Sequence, residues 1–122
     1  EAYNNRGTVR ADQGNYIEAI ADYDQALKLK PNYAEAYNNR GTVRAEQGNY
    51  IEAIADYDQV LKLDPGYAEA YYNRGGARYA QKYLVGALAD YRRYLQILHT
   101  IDDRTQVEQR IAEIESALAK QK

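Results

Sequence analysis

The chain contains no cysteine, no methionine, no phenylalanine and no tryptophan. Without cysteine, disulfides and thiolate metal sites are excluded, and cysteine usage gives no clue to the compartment. One histidine, His99, and one serine, Ser116, leave little for catalysis. Any histidine-based triad would pass through His99, and no elbow motif surrounds a nucleophile. Phosphate loops, zinc spacings and calcium loops are missing too. No apolar run approaches the roughly 20 residues of a membrane-spanning helix, and no charged-then-apolar leader opens the chain. Sixteen basic residues against eighteen acidic ones give a net charge of −2, which speaks against a broad phosphate-binding surface. A soluble non-enzyme is expected, with no cofactor, no metal, no nucleic acid and no membrane partner.

What is there is tyrosine and repetition. Fourteen tyrosines supply every aromatic ring, each pairing a large apolar body with a polar tip. Residues 1–33, EAYNNRGTVRADQGNYIEAIADYDQALKLKPNY, return at 35–67 as EAYNNRGTVRAEQGNYIEAIADYDQVLKLDPGY, a period of 34. Only Asp12/Glu46, Ala26/Val60, Lys30/Asp64 and Asn32/Gly66 differ. Copies this alike imply recent duplication or deliberate design. The start at Glu1, inside a helical pattern and without an initiator methionine, suggests an excised or engineered segment. A third copy begins at Ala68 and drifts, yet it keeps Ala87, Asp90, Tyr91 and Leu95 in register.

At 122 residues a single domain is expected. Each copy reads as two helices, 2–13 and 16–30 in the first, with Gly14 and Asn15 in the turn and Pro31 and Pro65 closing the second helices. Ile17, Ile20, Ala21, Tyr23, Ala26 and Leu27 recur at three-to-four spacing, so each hairpin has an apolar face that a neighbour must cover. Stacked hairpins of this kind form a solenoid. In residues 104–120, Val107, Ile111, Ile114 and Leu118 form one apolar stripe, and Asp103 with Gln106 fits a capping box after a loop at 100–103. The repeats are therefore expected at 1–33, 34–67 and 68–99, followed by that loop and a capping helix.

The pattern resembles the tetratricopeptide repeat (TPR) family over about residues 1–99. The residues that carry the resemblance are Tyr3, Tyr37 and Tyr71; Gly7, Gly41 and Gly75; Ala19, Ala53 and Ala87; Tyr23, Tyr57 and Tyr91; and Pro31 and Pro65. Close helix approach at the glycines and alanines, with the tyrosines filling the wider gaps, gives these positions a structural role. The third copy departs from the pattern, with Lys82 at the turn glycine and His99 at the closing proline. The resemblance implies an all-α, right-handed superhelical solenoid of three helix-turn-helix hairpins plus a C-terminal capping helix. It also implies a protein or peptide partner held in a concave groove lined by the first helix of each repeat.

The resemblance places Asn4, Asn5, Thr8, Asn38, Asn39, Thr42, Tyr72 and Asn73 in that groove, alongside Glu1, Asp12, Glu35, Glu46, Glu69, Gly76 and Ala80. An asparagine amide donates and accepts at once, so the column Asn5, Asn39, Asn73 suits an extended peptide backbone, although exposed asparagines also serve as wet surface. The family's carboxylate clamp for chaperone tails needs lysine, asparagine and arginine at defined positions. Asn4, Thr8, Glu69 and Asn73 stand at four of them and only Asn39 matches, so a chaperone-tail receptor is not expected. The glutamate column Glu1, Glu35, Glu69 points to a ligand with some basic character.

Arg6 and Arg10 share a helix face with Asp22 available on the partner helix, and the set recurs as Arg40, Arg44, Asp56 and Arg74, Arg78, Asp90. One arginine of each pair is expected to bond its aspartate across the hairpin. The competing expectation for the chain is a structural scaffold that self-associates into a homo-oligomer through its uncapped first repeat.

Overall fold

The computed structural model describes residues 1–98 and 101–121. Among these there are seven α-helices and no strand: α1 (Ala2–Asp12), α2 (Tyr16–Leu29), α3 (Ala34–Glu46), α4 (Tyr50–Leu63), α5 (Ala68–Ala80), α6 (Leu84–Ile97) and α7 (Ile101–Ala119). They form two compact units, Glu1–Pro65 holding α1 to α4 and Gly66–Lys122 holding α5 to α7. In the first unit α1 packs on α2 and α3 on α4, with α2 also against α3; in the second, α5 packs on α6 and α6 on α7. The architecture is thus an all-α hairpin repeat followed by one further helix. None of the described helices is long and apolar enough to cross a membrane.

The turns follow from a single residue in each hairpin. At the end of α1 the Gly14 N–H donates to the Ala11 carbonyl and the Asn15 N–H to the Arg10 carbonyl, with Gly14 at φ 80°. This pair of bonds satisfies two carbonyls left over at the helix end, and it demands a left-handed residue. Gly48 repeats the geometry at φ 81°. In the third hairpin Lys82 adopts φ 63°, with its N–H on the Tyr79 carbonyl and that of Tyr83 on the Arg78 carbonyl. The motif therefore survives the loss of its glycine.

The hairpin legs close through glycine and tyrosine. A Cβ on Gly7 would lie 2.8 Å from Cε1 of Tyr23, and one on Gly41 would lie 2.8 Å from Cε1 of Tyr57. At Gly75 the nearest atom is Cε1 of Tyr91, at 3.1 Å. Each glycine thus makes the space its tyrosine ring occupies. Ala19, Ala53 and Ala87 are fully buried, as small residues must be where two helix backbones approach.

Helix α7 begins at Ile101, three residues before the expected Arg104, and ends at Ala119. The backbone at 101–103 is therefore helical instead of a loop, and residue 103 lies inside the helix, not at its cap. His99 and Thr100 lie outside the described residues. The apolar stripe packs as its period requires: Val107 and Ile114 are buried, with Ile111 and Leu118 partly buried, in a cluster with Ala87, Tyr91 and Tyr94.

Candidate functional site

Both arginines of each pair reach their aspartate, one more than expected. Arg6 grips Asp22 bidentately, Nε to Oδ2 at 3.0 Å and Nη2 to Oδ1 at 2.7 Å, while Arg10 Nη1 donates to Oδ2 at 3.0 Å. Arg40 and Arg44 hold Asp56 in the same way, as Arg74 and Arg78 hold Asp90. The three carboxylates are buried, which such charges tolerate only when fully hydrogen-bonded. The hydrogen bond from Arg6 holds the Asp22 carboxyl below its ordinary range, against the opposing effect of burial. Burial disfavours the Arg40 charge, yet hydrogen bonds to Asp56 and Asp24 raise its pKa. Arg6, Arg40 and Arg74 also lie over the rings of Tyr3, Tyr37 and Tyr71, 5.4 to 5.5 Å from their centroids. In all three hairpins this arginine is thereby occupied inside its own fold.

The bond from Arg40 Nη1 to Asp24 Oδ1, at 2.8 Å, joins the first hairpin to the second. Asn4 does the same. Expected on the open face, it is 1% exposed: its Nδ2 donates to the Tyr33 hydroxyl at 3.2 Å and to Glu35 Oε1 at 3.3 Å, and its Oδ1 accepts from Asn39 Nδ2 at 3.0 Å. Asn38 is 2% exposed. These two positions correct the sequence reading, because a side chain packed away offers a ligand no surface. A polar residue between stacked hairpins can serve the stack, and periodicity alone does not separate that role from a groove position.

The open part of the α1 and α3 face consists of Asn5, Thr8, Asp12, Asn39, Thr42 and Glu46. Asn39 gives a donor to Asn4 and keeps its carbonyl oxygen as an acceptor. The Thr8 hydroxyl donates to the Asn4 carbonyl and meets the Tyr23 hydroxyl at 3.1 Å; Thr42 repeats this with the Asn38 carbonyl and the Tyr57 hydroxyl. Thr8, Asp12, Asn39, Thr42 and Glu46 share a cleft of about 170 Å³ with no basic residue in its lining. Hydrogen bonding towards the Glu46 carboxylate raises the pKa of Tyr16.

In the second unit Tyr72 stands half-exposed on α5, its ring 5.8 Å from that of Tyr91 and 5.1 Å from that of Tyr94. Asn73 is half-buried beside it. Among the described residues no group of three or more His, Asp or Glu side chains could hold a metal ion.

The description "TPR repeat" matches residues 7–48 and 42–82. No curated protein sequence matches the chain. Among solved structures, the first TPR of Spaghetti (RPAP3) bound to the HSP90 peptide SRMEEVD is 27% identical, with a TM-score of 0.88, covering 97% of this chain and 94% of that one. The first TPR domain of human RPAP3 is 27% identical, with a TM-score of 0.86 and coverage of 97% and 91%. The Arabidopsis OM64 TPR domain, 24% identical with a TM-score of 0.86, covers 92% of this chain and 93% of its own and shares the fold. The repeats, their glycine and tyrosine contacts and the family match agree: the chain belongs to the tetratricopeptide repeat family.

Proposed function

We propose that this chain is a protein-interaction module that takes an extended peptide segment of a partner against the α1 and α3 face. The observation that carries the reading is the cleft among Thr8, Asp12, Asn39, Thr42 and Glu46, where two carboxylates and one amide oxygen stand with no neighbouring cation in the lining. That chemistry receives backbone N–H groups and a basic side chain. The likeness to a TPR that holds an HSP90 peptide supports a peptide as the kind of partner. In the second unit Asn73 holds the position of Asn39, and Tyr72 stands half-exposed next to it. Asn4 and Asn38 belong in this reading to the framework, as do Gly7, Ala19, Tyr23, Gly41, Ala53, Tyr57, Gly75, Ala87 and Tyr91.

Peptides differing only by lysine or norleucine at one central position test the proposal. Lysine should bind more tightly, and Asp12→Asn combined with Glu46→Gln should weaken it about tenfold, or 1.4 kcal/mol, and remove the preference. Equal affinity for both peptides would refute the reading.

A second reading has its own observation. Val9 on α1 is 55% exposed, whereas Val43 at the same place on α3 is 3% exposed and packed against Ala19 and Tyr23. With Tyr3 also open, α1 presents a face that α2 covers on α3, and self-association through it is the alternative to peptide binding. Mass measured over a concentration series decides: a constant monomer mass excludes it.

A further inference from the structure

Tyr91 differs from its two counterparts in one respect. The hydroxyls of Tyr23 and Tyr57 meet Thr8 and Thr42 at 3.1 and 3.2 Å. In the third hairpin the threonine position is Gly76, and a Cβ built there would find the Tyr91 hydroxyl oxygen at 3.7 Å with nothing closer. Tyr91 is 4% exposed, and among the described residues its hydroxyl has no hydrogen-bond partner. The oxygen is not sealed in either, since no wholly enclosed side-chain polar atom lacks a partner. It opens on a cleft of about 270 Å³, bounded by Tyr72 on α5 and by Gln106, Gln109, Arg110 and Glu113 on α7. With a water's share of liquid volume near 30 Å³, this is room for a side chain.

The cleft is rich in donors. Besides the Tyr91 hydroxyl, it offers two glutamine amides and the Arg110 guanidinium, which lies 4.3 Å above the ring of Tyr79. The nearest approach of Glu113 to Arg110, Nε to Oε2 at 3.8 Å, is too long for a hydrogen bond and leaves the guanidinium donors for another acceptor. Residues 66–122 carry nine Lys and Arg against seven Asp and Glu, so the surrounding unit is net positive while residues 1–65 are net negative. Burial pushes the Tyr91 pKa up to about 12, which keeps the hydroxyl protonated, as a donor must be.

We propose that this cleft binds a carboxylate, with the Tyr91 hydroxyl donating to it in place of the missing threonine and Arg110 supplying the charge. The site is built from α5, α6 and α7 alone and does not depend on the α1 and α3 face. An acidic side chain and a chain end present the same two oxygens to these donors, and the probes below tell the two sources apart.

Acetylated and amidated pentapeptides with a central glutamate, glutamine or leucine serve as probes, together with the glutamine peptide ending in a free carboxylate. Binding is read from the Tyr72 ring signals, which report on the same cleft in every variant, by NMR on the full chain. The glutamate peptide or the free-carboxylate peptide should shift these signals saturably, and whichever does so identifies the source of the carboxylate. Tyr91→Phe should weaken that probe at least tenfold. Gly76→Thr, which restores the internal partner seen in the other hairpins, should abolish binding without lowering the melting temperature. The proposal is overturned if no carboxylate probe binds, if glutamine or leucine binds as well as glutamate, or if Gly76→Thr retains affinity. Lysine-peptide binding that Asp12→Asn with Glu46→Gln removes, alongside such a result, would leave the α1 and α3 reading standing.

Discussion

Asp22 sits where three hydrogen bonds from two arginines converge, and its burial makes those bonds obligatory. Removing its charge strands two guanidinium groups around a neutral amide that can also donate. Asp22→Asn should therefore cost about 3 kcal/mol at neutral pH, the usual scale for breaking a buried pair. The pH dependence has a definite sign. A carboxyl whose folded pKa is depressed contributes stability above its unfolded pKa, and that contribution is lost as pH falls through the folded value. The gap between wild type and Asp22→Asn, measured by urea unfolding, should hold above about pH 4 and narrow steadily below it. A gap that stayed constant down to pH 2 would show that the cluster acts through shape alone. The arginine and aspartate spacing was readable in sequence as a hairpin brace. The second arginine of each set was not, because only the folded pair of helices shows that one carboxylate can serve three donors. Asn4 was misread for a related reason: its partners Tyr33, Glu35 and Asn39 lie 29 to 35 residues away.

At the level of the hairpin, the turn was legible wherever glycine marks it, at Gly14 and Gly48. Lys82 removed that mark, but the carbonyls of Arg78 and Tyr79 still needed donors, so the chain kept the left-handed residue at a steric cost. Lys82→Gly should accordingly raise stability by about 1 kcal/mol, less the extra backbone entropy of glycine in the unfolded chain. A drop in melting temperature would mean that the lysine side chain contributes a contact exceeding the strain. The same hairpin shows a linked replacement. Arg10 and Arg44 each lie 3.9 Å from a glutamate, Glu18 or Glu52, whereas Arg78 lies over the ring of Tyr83 at 5.6 Å. Gly86 stands at the glutamate's place, and a Cβ there would collide with that ring at 2.5 Å. The stripe of α7 was predictable from its period, but its early start at Ile101 was not, since Asp103 offers a plausible cap within a segment that is itself helical. The open hydroxyl of Tyr91 could have been suspected from one comparison, the replacement of Thr8 and Thr42 by Gly76.

For the molecule as a whole, charge does two different jobs, and ionic strength separates them. The carboxylates of Asp22, Asp56 and Asp90 are buried and bonded, so dissolved ions cannot come between them and their arginines. Asp12 and Glu46 stand exposed at the rim of the α1 and α3 cleft, where mobile ions screen them freely. The Debye length falls from about 10 Å at 0.1 M salt to about 3 Å at 1 M, which on the proposed reading weakens the attraction of that rim for a basic peptide. Raising sodium chloride from about 0.05 to 1 M should lower affinity for the lysine peptide about tenfold, while the melting temperature moves by only a few degrees. Calorimetric titration and thermal unfolding in the same buffers measure both quantities. If the melting temperature collapsed together with the affinity, the arginine clusters would have to be solvent-accessible and the division of labour would fail. If neither changed, the rim carboxylates would not be what holds the peptide.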